Sequence, residues 1–219
     1  MNRIEYYDTV YDKFWQRQTH RYGCTGYEEI IINNIVSRNA KKVFSCGIGT
    51  GWPIESELHK KGIIVDGCDV AEKSVKLAQK NLSNPAGIYT GIIQDCKSRK
   101  EYDVVYCMRA SWLIPQFKDV ITKMMDMCKE NGTIIFDIMP IGKYDNFKEI
   151  VKQIFLKWVG VEKSDVPEFC YYSACKMARL LRANDFKVKV IKEEDIFHQK
   201  NRFNTHKLIL IADKKGEKA

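Results

Sequence analysis

The segment Val43-Phe-Ser-Cys-Gly-Ile-Gly-Thr-Gly51 limits what this chain can fold into more than any other. Apolar residues lead into three glycines at alternate positions. Trp52-Pro53 follows, and proline is favoured in the first turn of a helix. A strand, a tight turn and a helix are predicted in that order. Glycines 47, 49 and 51 permit the turn and let a ligand approach the main chain, because no Cβ intervenes. The third glycine of a dinucleotide fingerprint, GxGxxG, would fall at position 52, where it lets helix and strand pack closely; that position is Trp. No Gly-Lys-Ser/Thr follows, so the P-loop pattern is missing as well. An NAD(P) oxidoreductase is disfavoured by Trp52.

Beyond the turn, strands alternate with helices, which implies βαβ units and a parallel sheet. Pro53 to Lys61 reads as a crossover helix, and Ile63 opens a second strand ending at Asp69. Ala71, Val75, Ala78 and Leu82 then recur at helical spacing. Further strands are expected at 88–93, 103–108 and 133–138, with a helix after Pro115 that turns Phe117, Val120, Ile121, Met124 and Cys128 inward. Asn131-Gly132 is expected to end that helix. Phe147, Ile150, Val151, Ile154, Phe155 and Trp158 form the apolar stripe of an amphipathic helix. A helix over 172–183 and strands at 186–191 and 207–212 close the chain.

Asp69 stands 18 residues beyond Gly51, at a strand end, where a carboxylate can accept both ribose hydroxyls of an adenosine. It could equally cap the following helix. Asp66 sits nearer mid-strand and is the weaker candidate.

Composition narrows the class. With 219 residues, 45% hydrophobic and 29% charged, the chain suits one soluble domain with a sizeable core. No apolar run approaches the roughly 20 residues needed to span a bilayer, and the N-terminus lacks the pattern of a signal peptide. The eight cysteines include no CxxC pair, and several lie in apolar strand-like runs. They read as buried reduced thiols, with no metal site, which points to the cytoplasm. The net charge of +8 is scattered in short Lys pairs without interleaved aromatics, so nucleic acid is the less favoured partner.

Several segments in order resemble the class I S-adenosylmethionine (SAM)-dependent methyltransferases. The glycine turn resembles the family's first motif, and Gly67-Cys-Asp-Val-Ala-Glu-Lys-Ser-Val-Lys-Leu-Ala78 its ribose-binding strand and following helix. Gln94-Asp95-Cys96 is similar to the segment whose acid bonds the adenine amino group and whose next N–H bonds the ring. Tyr102 to Pro115 resembles the fourth strand with its substrate-side loop, and Glu130 to Asp137 the fifth.

The resemblance implies a Rossmann-like, doubly wound α/β fold. Its sheet would be seven-stranded and mostly parallel, with an antiparallel final strand and helices on both faces. One domain would span 1–219, with a helical cap at 1–40 and an acceptor-side lid helix inserted at 140–170. It implies SAM as cofactor and S-adenosylhomocysteine (SAH) as product. The cofactor contacts it implies are Tyr11, Ser45, Gly47, Ile48, Gly49, Gly51, Asp69, Val70, Asp95, Cys96 and Met108. Two departures stand out. The family's first strand often ends in an acid where this chain has Ser45, so an anchor for the methionine end of SAM is weakened or supplied elsewhere. Many small-molecule members carry a His after the fourth strand where this chain has Ser111-Trp112.

On the acceptor side, Arg109, Trp112 and Tyr144 are candidates for substrate binding. Arg109 would pair an anionic group and Trp112 would form an apolar wall. His198, Asp137 and Tyr144 are the candidates for a general base, with no catalytic residue assigned. The motifs of amino-directed nucleic-acid enzymes, of cytosine C5 and ribose 2′-hydroxyl enzymes, and of arginine methyltransferases are missing. Transfer to an O or N atom of a small metabolite or sugar-like acceptor is the favoured function. An RNA-modifying methyltransferase is the alternative, and a non-catalytic SAM-binding protein a second. The insertion's apolar stripe fits ordinary packing, a lid or a homodimer face.

Overall fold

A computed structural model describes residues 26–97, 99–141, 148, 150–152, 154, 155, 158, 170–192 and 207–216. The elements in chain order are α1 (Gly26–Ser37), β1 (Lys42–Cys46), α2 (Ile54–Lys60), β2 (Ile64–Asp69), α3 (Glu72–Asn81) and β3 (Ile88–Thr90). They continue with β4 (Tyr102–Cys107), α4 (Phe117–Met127), β5 (Cys128–Ile138), α5 (Ala174–Arg182), β6 (Phe186–Lys192) and β7 (Leu208–Lys214).

The seven strands form one sheet in the order β3-β2-β1-β4-β5-β7-β6. The first five in the chain run parallel, and β7 lies antiparallel between β5 and β6. This is the fold expected from the sequence. Central strands read as near-continuous apolar runs because helices cover both faces. On one face Phe44, Val105 and Phe136 pack with Phe117, Ile121 and Met124 of α4 and Leu181 of α5. On the other, Val43, Val104 and Ile135 meet Ile31 and Ile35 of α1, Leu58 of α2 and Val75 and Ala78 of α3. Each such side chain, fully withdrawn from water, contributes about 1.5–3 kcal/mol.

Local signals explain the boundaries. α2 ends where Gly62 takes φ +76° and its N–H returns to the His59 carbonyl. Ser173 caps α5 by accepting the Lys176 N–H at 3.3 Å. Two boundaries differ from expectation. Asn131-Gly132 does not end a helix: α4 stops at Met127, and Cys128 already pairs with Tyr102. The two residues instead lie in an irregularity of β5, whose register with β4 shifts before Val104 meets Thr133. The third strand is also shorter, three residues followed by a 3-10 turn over Ile93–Asp95.

Positions 148, 150–152, 154, 155 and 158 are helical, as the periodicity predicts. Of the apolar stripe, Val151, Ile154, Phe155 and Trp158 are exposed, Trp158 at 83%, and Ile150 is half-buried. The insertion is stitched back to the sheet beyond it. The Cys170 N–H donates to the Trp112 carbonyl at 2.7 Å and the Tyr172 N–H to the Met139 carbonyl at 2.8 Å. No described helix is long and apolar enough to cross a membrane.

Chain order reverses between β1 and β4: β2 follows on one side of β1, and β4 lies on the other. Ligands of open α/β sheets bind beyond the carboxyl ends of the strands at such a switch point.

Candidate functional site

The glycine turn occupies that switch point. Gly47, Gly49 and Gly51 have φ of +78°, +55° and +73°. A Cβ on Gly47 would come within 2.7 Å of the Ala110 Cβ, and one on Gly51 would press on Leu82 at 3.1 Å. At Gly49 a Cβ would meet nothing within 4 Å, which leaves open space beside bare backbone. The turn is tied to β2. The Gly47 and Ile48 N–H groups donate to the Cys68 carbonyl, and the Gly49 N–H donates to Asp69 Oδ2 at 2.9 Å.

Asp69 Oδ1 also accepts the Ala71 N–H at 3.0 Å; the residue does not cap α3, whose N-cap is Ala71 without a side-chain cap bond. A carboxylate offers about four lone-pair sites, enough to accept more than one donor at once. Val70, half-buried, follows it. Asp66 is committed elsewhere, to Asn84 at 2.9 Å, Tyr102 at 3.0 Å and Lys42 at 3.2 Å.

After β3, the exposed Asp95 accepts the Ile92 N–H at 3.3 Å. The Cys96 N–H, which the resemblance assigns to an adenine ring, donates to the Ile93 carbonyl at 3.1 Å. Holding a ring there requires exchanging that bond. Cys96 and Met108 are both buried, and Met108 directly follows β4.

A buried polar corner adjoins the turn on the β4 and β5 side. Ser45 donates its hydroxyl to Glu55 Oε1 at 2.7 Å, and the Tyr106 hydroxyl donates to the same oxygen at 3.0 Å. Burial pushes the Glu55 carboxyl above its ordinary range, against the pull of those hydrogen bonds. Asp137 is fully buried on β5. Both of its oxygens accept the Arg109 N–H, at 3.0 and 3.1 Å, and the hydroxyls of Tyr27 and Ser111 donate to it. Burial raises the Asp137 carboxyl as well; the positive charge of Lys207 and the Tyr27 hydroxyl oppose the shift.

Arg109 has φ +60°, a conformation costly for a residue with a Cβ, and Asp137 grips its N–H. Its guanidinium pairs with Glu28, which is 1% exposed, and lies 5.5 Å over the Tyr27 ring. The Lys207 ammonium sits 3.8 Å from the centre of the buried Trp112 ring.

Residues 44–136 match a protein-family profile described as "Methyltransferase domain". Those residues carry the match to a methyltransferase domain, and the fold around them is that of solved SAM-dependent methyltransferases. It is 26% identical to the ubiquinone biosynthesis O-methyltransferase of Salmonella paratyphi A over 94% of this chain and 87% of that one. Its fold matches magnesium protoporphyrin IX methyltransferase from Synechocystis PCC 6803 with bound SAH. There the TM-score is 0.70, with 16% identity over 97% of this chain and 98% of that one. The Burkholderia thailandensis 1,6-didemethyltoxoflavin-N1-methyltransferase, bound to 1,6-didemethyltoxoflavin and SAH, matches with a TM-score of 0.64 and 13% identity, over 97% and 88% of the two chains.

In this methyltransferase the structure brings together Ser45, Gly47, Ile48, Gly49, Gly51, Asp69, Val70, Asp95, Cys96, Met108, Arg109, Trp112 and Asp137 along the carboxyl edge of the parallel strands. The open space at Gly49 and the Asp69 carboxylate at the end of β2 fit the adenosine end of SAM. Tyr11, Tyr144 and His198 lie outside the described residues, as do most of the N-terminal cap and much of the inserted lid. Among the described residues no group of three His, Cys, Asp or Glu could hold a metal ion. Five residues of the corner were not singled out from sequence: Glu55, Tyr106, Tyr27, Glu28 and Lys207. For Glu55 a signal existed, since it lies between Ile54 and Leu58 on the buried side of α2.

Proposed function

We propose that this methyltransferase acts on an O or N atom of a small-molecule acceptor seated beyond the ends of β4 and β5. The polar and aromatic corner there carries the reading. Arg109 and Lys207 lie over the rings of Tyr27 and Trp112, above the buried Asp137, in a compact setting suited to a metabolite. The relatives named above act, by their names, on a ubiquinone precursor pathway, a porphyrin and a toxoflavin precursor, which supports the same class.

Bound SAM supplies a methyl group already activated by its sulfonium, so the chain's work is chiefly alignment, an effect that reaches ~7–11 kcal/mol. Asp69 would hold the ribose and Asp95 the adenine amino group. Asp137 shapes the acceptor seat by clamping the Arg109 backbone. Buried beneath Tyr27, it serves as a positioning residue rather than a base in contact with the acceptor. An amine acceptor arriving deprotonated needs no base, whereas a hydroxyl needs one; His198 and Tyr144 remain the candidates.

Part of the basic charge is answered within the chain, which weighs against RNA. Lys42, Lys100, Lys129 and Lys214 are spent on ion pairs with Glu101, Glu130 and Asp103. Seven described cysteines carry free thiols, five of them buried, which supports a reducing compartment such as the cytoplasm.

The test is a turnover screen that follows SAM conversion to SAH, with mass detection of products, across phenols, catechols, amines and sugars beside transfer RNA. The expected result is an O- or N-methylated small molecule. Methylated RNA alone, or SAM binding without turnover, would contradict it. Arg109→Ala is expected to raise the acceptor KM with SAM affinity little changed. It also leaves Glu28 buried without its cation, at about 2–3 kcal/mol of stability.

A further inference from the structure

Glu55 is a carboxylate almost out of water whose two side-chain donors, Ser45 and Tyr106, are both neutral. A buried charge is costly unless an opposite charge answers it. The charged groups around it do not supply one cleanly. Arg109, which acts on Glu55 through space, is already paired with Glu28 from α1. From β5 the charged group is another carboxylate, Asp137, on which Lys207 acts. Among the described residues, three buried acids thus share two cations in this corner.

The strand order says what lies alongside. Asp69 ends β2 and Asp95 follows β3, so an adenosine held by them lies on the β2–β3 side of β1. The rest of the same ligand, laid across the strand ends, reaches β1 and β4. Those are the strands that carry Ser45 and Tyr106, which are paired in register.

We propose that Glu55 is the counter-charge for the positively charged amino-acid end of SAM, held in place by Ser45 and Tyr106. The proposal rests on the SAM-binding reading of the glycine turn. Without ligand, burial favours the neutral carboxylic acid; a docked cation favours the carboxylate. SAM binding therefore expels a proton from Glu55 at pH values between the ordinary carboxylate range and the raised one.

Calorimetry in two buffers of different ionisation enthalpy tests this, with SAM and with 5′-methylthioadenosine. The second ligand keeps the adenosine but lacks the amino-acid end and the sulfonium charge. The wild-type protein is expected to release a proton on binding SAM and none on binding methylthioadenosine. Glu55→Gln is expected to abolish the release and weaken SAM roughly tenfold or more, with methylthioadenosine affinity unchanged. Ser45→Asp on that background, with its carboxylate placed beside the Glu55 position, is expected to restore SAM affinity. Equal loss for both ligands overturns the proposal, because a merely structural residue would behave that way. Unchanged SAM affinity and proton release in Glu55→Gln overturn it as well. A wild-type protein that binds neither ligand overturns the SAM reading itself, and the proposal with it.

Discussion

The two edges of the sheet are built on opposite electrostatic terms. At the amino edge Asp103 accepts the N–H groups of Lys41 and Lys42, at 2.8 and 2.9 Å, and pairs with Lys129 at 2.7 Å. Arg38 binds Asp213, which also accepts the Thr133 hydroxyl, and Glu130 binds Lys100 and Lys214. There the acids find cations and remain close to water. At the carboxyl edge Glu28, Glu55 and Asp137 are buried, and Gly47, Gly49, Gly51 and Arg109 hold left-handed backbone. A cavity of about 530 Å³ opens at the amino edge, lined by Arg38, Asp103, Asn131, Thr133 and Asp213. Size does not make it the active site, for its acids are already matched. Left-handed backbone does not separate the edges, since Asn39, Ser83, Lys100 and Asp185 hold it at the amino edge, but desolvated acids persist where a ligand must be met, and they mark the functional edge.

The sharpest way to break this contrast is Asp69→Ala. It removes the proposed ribose acceptor and unties the Gly49 N–H, and it is expected to weaken SAM about 100-fold, ~2.7 kcal/mol, by calorimetry. Next comes a pair of glycines. Left-handed backbone costs an L residue about 1–2 kcal/mol, and at Gly62 that is the whole effect, because a Cβ there meets nothing within 4 Å. At Gly47 the 2.7 Å overlap with Ala110 adds on the order of 1 kcal/mol or more. Gly47→Ala should lower the unfolding free energy more than Gly62→Ala, and it alone should disturb SAM binding. Smaller again is Asp103→Asn, expected to cost about 1–2 kcal/mol of stability by denaturant titration while SAM affinity stays unchanged.

The subtlest expectation concerns pH, where the edges should differ in sign. Although burial opposes it, the Asp103 carboxyl is held below its ordinary value by Lys129 and the N–H groups of Lys41 and Lys42. Its contribution is present at neutral pH and is lost as pH falls through that depressed value. Glu55 is raised, so the folded state binds its proton more tightly than the unfolded chain. Stability from that source is present in acid and lost as pH rises toward the raised value. Thermal melts across mildly acidic to neutral pH should show a shallower decline with rising pH in Glu55→Gln than in the wild type. Identical slopes would remove the electrostatic difference between the edges.

What could be read in advance follows the same division. The glycine turn, Asp69 and the order of the elements depend on local spacing, and local spacing is visible in a sequence. Ala71, Val75, Ala78 and Leu82 are all buried, as their period requires. The corner depends on register and crossover. Tyr27 meets Asp137 across 110 residues, and Glu55 finds Tyr106 only because β1 and β4 are neighbours. Ser45 was visible as a missing acid, but the acid that stands beside it comes from the next helix. The stripe Val151, Ile154, Phe155 and Trp158 was visible as a helix face, yet periodicity does not say whether such a face turns inward, and this one is exposed. Cys128 matched the period of α4 but became the first residue of β5, because its pairing with Tyr102 outweighed the helical pattern.

SAM, not a dinucleotide, is the expected ligand of the carboxyl edge, where Trp52 closes off the dinucleotide pattern. Titration of the wild-type protein with SAM and with NADH, followed by calorimetry, tests it most directly. One SAM bound per chain, displaced by SAH, with NADH showing no heat of binding, is the predicted result. Tight NADH binding with no SAM binding would contradict it.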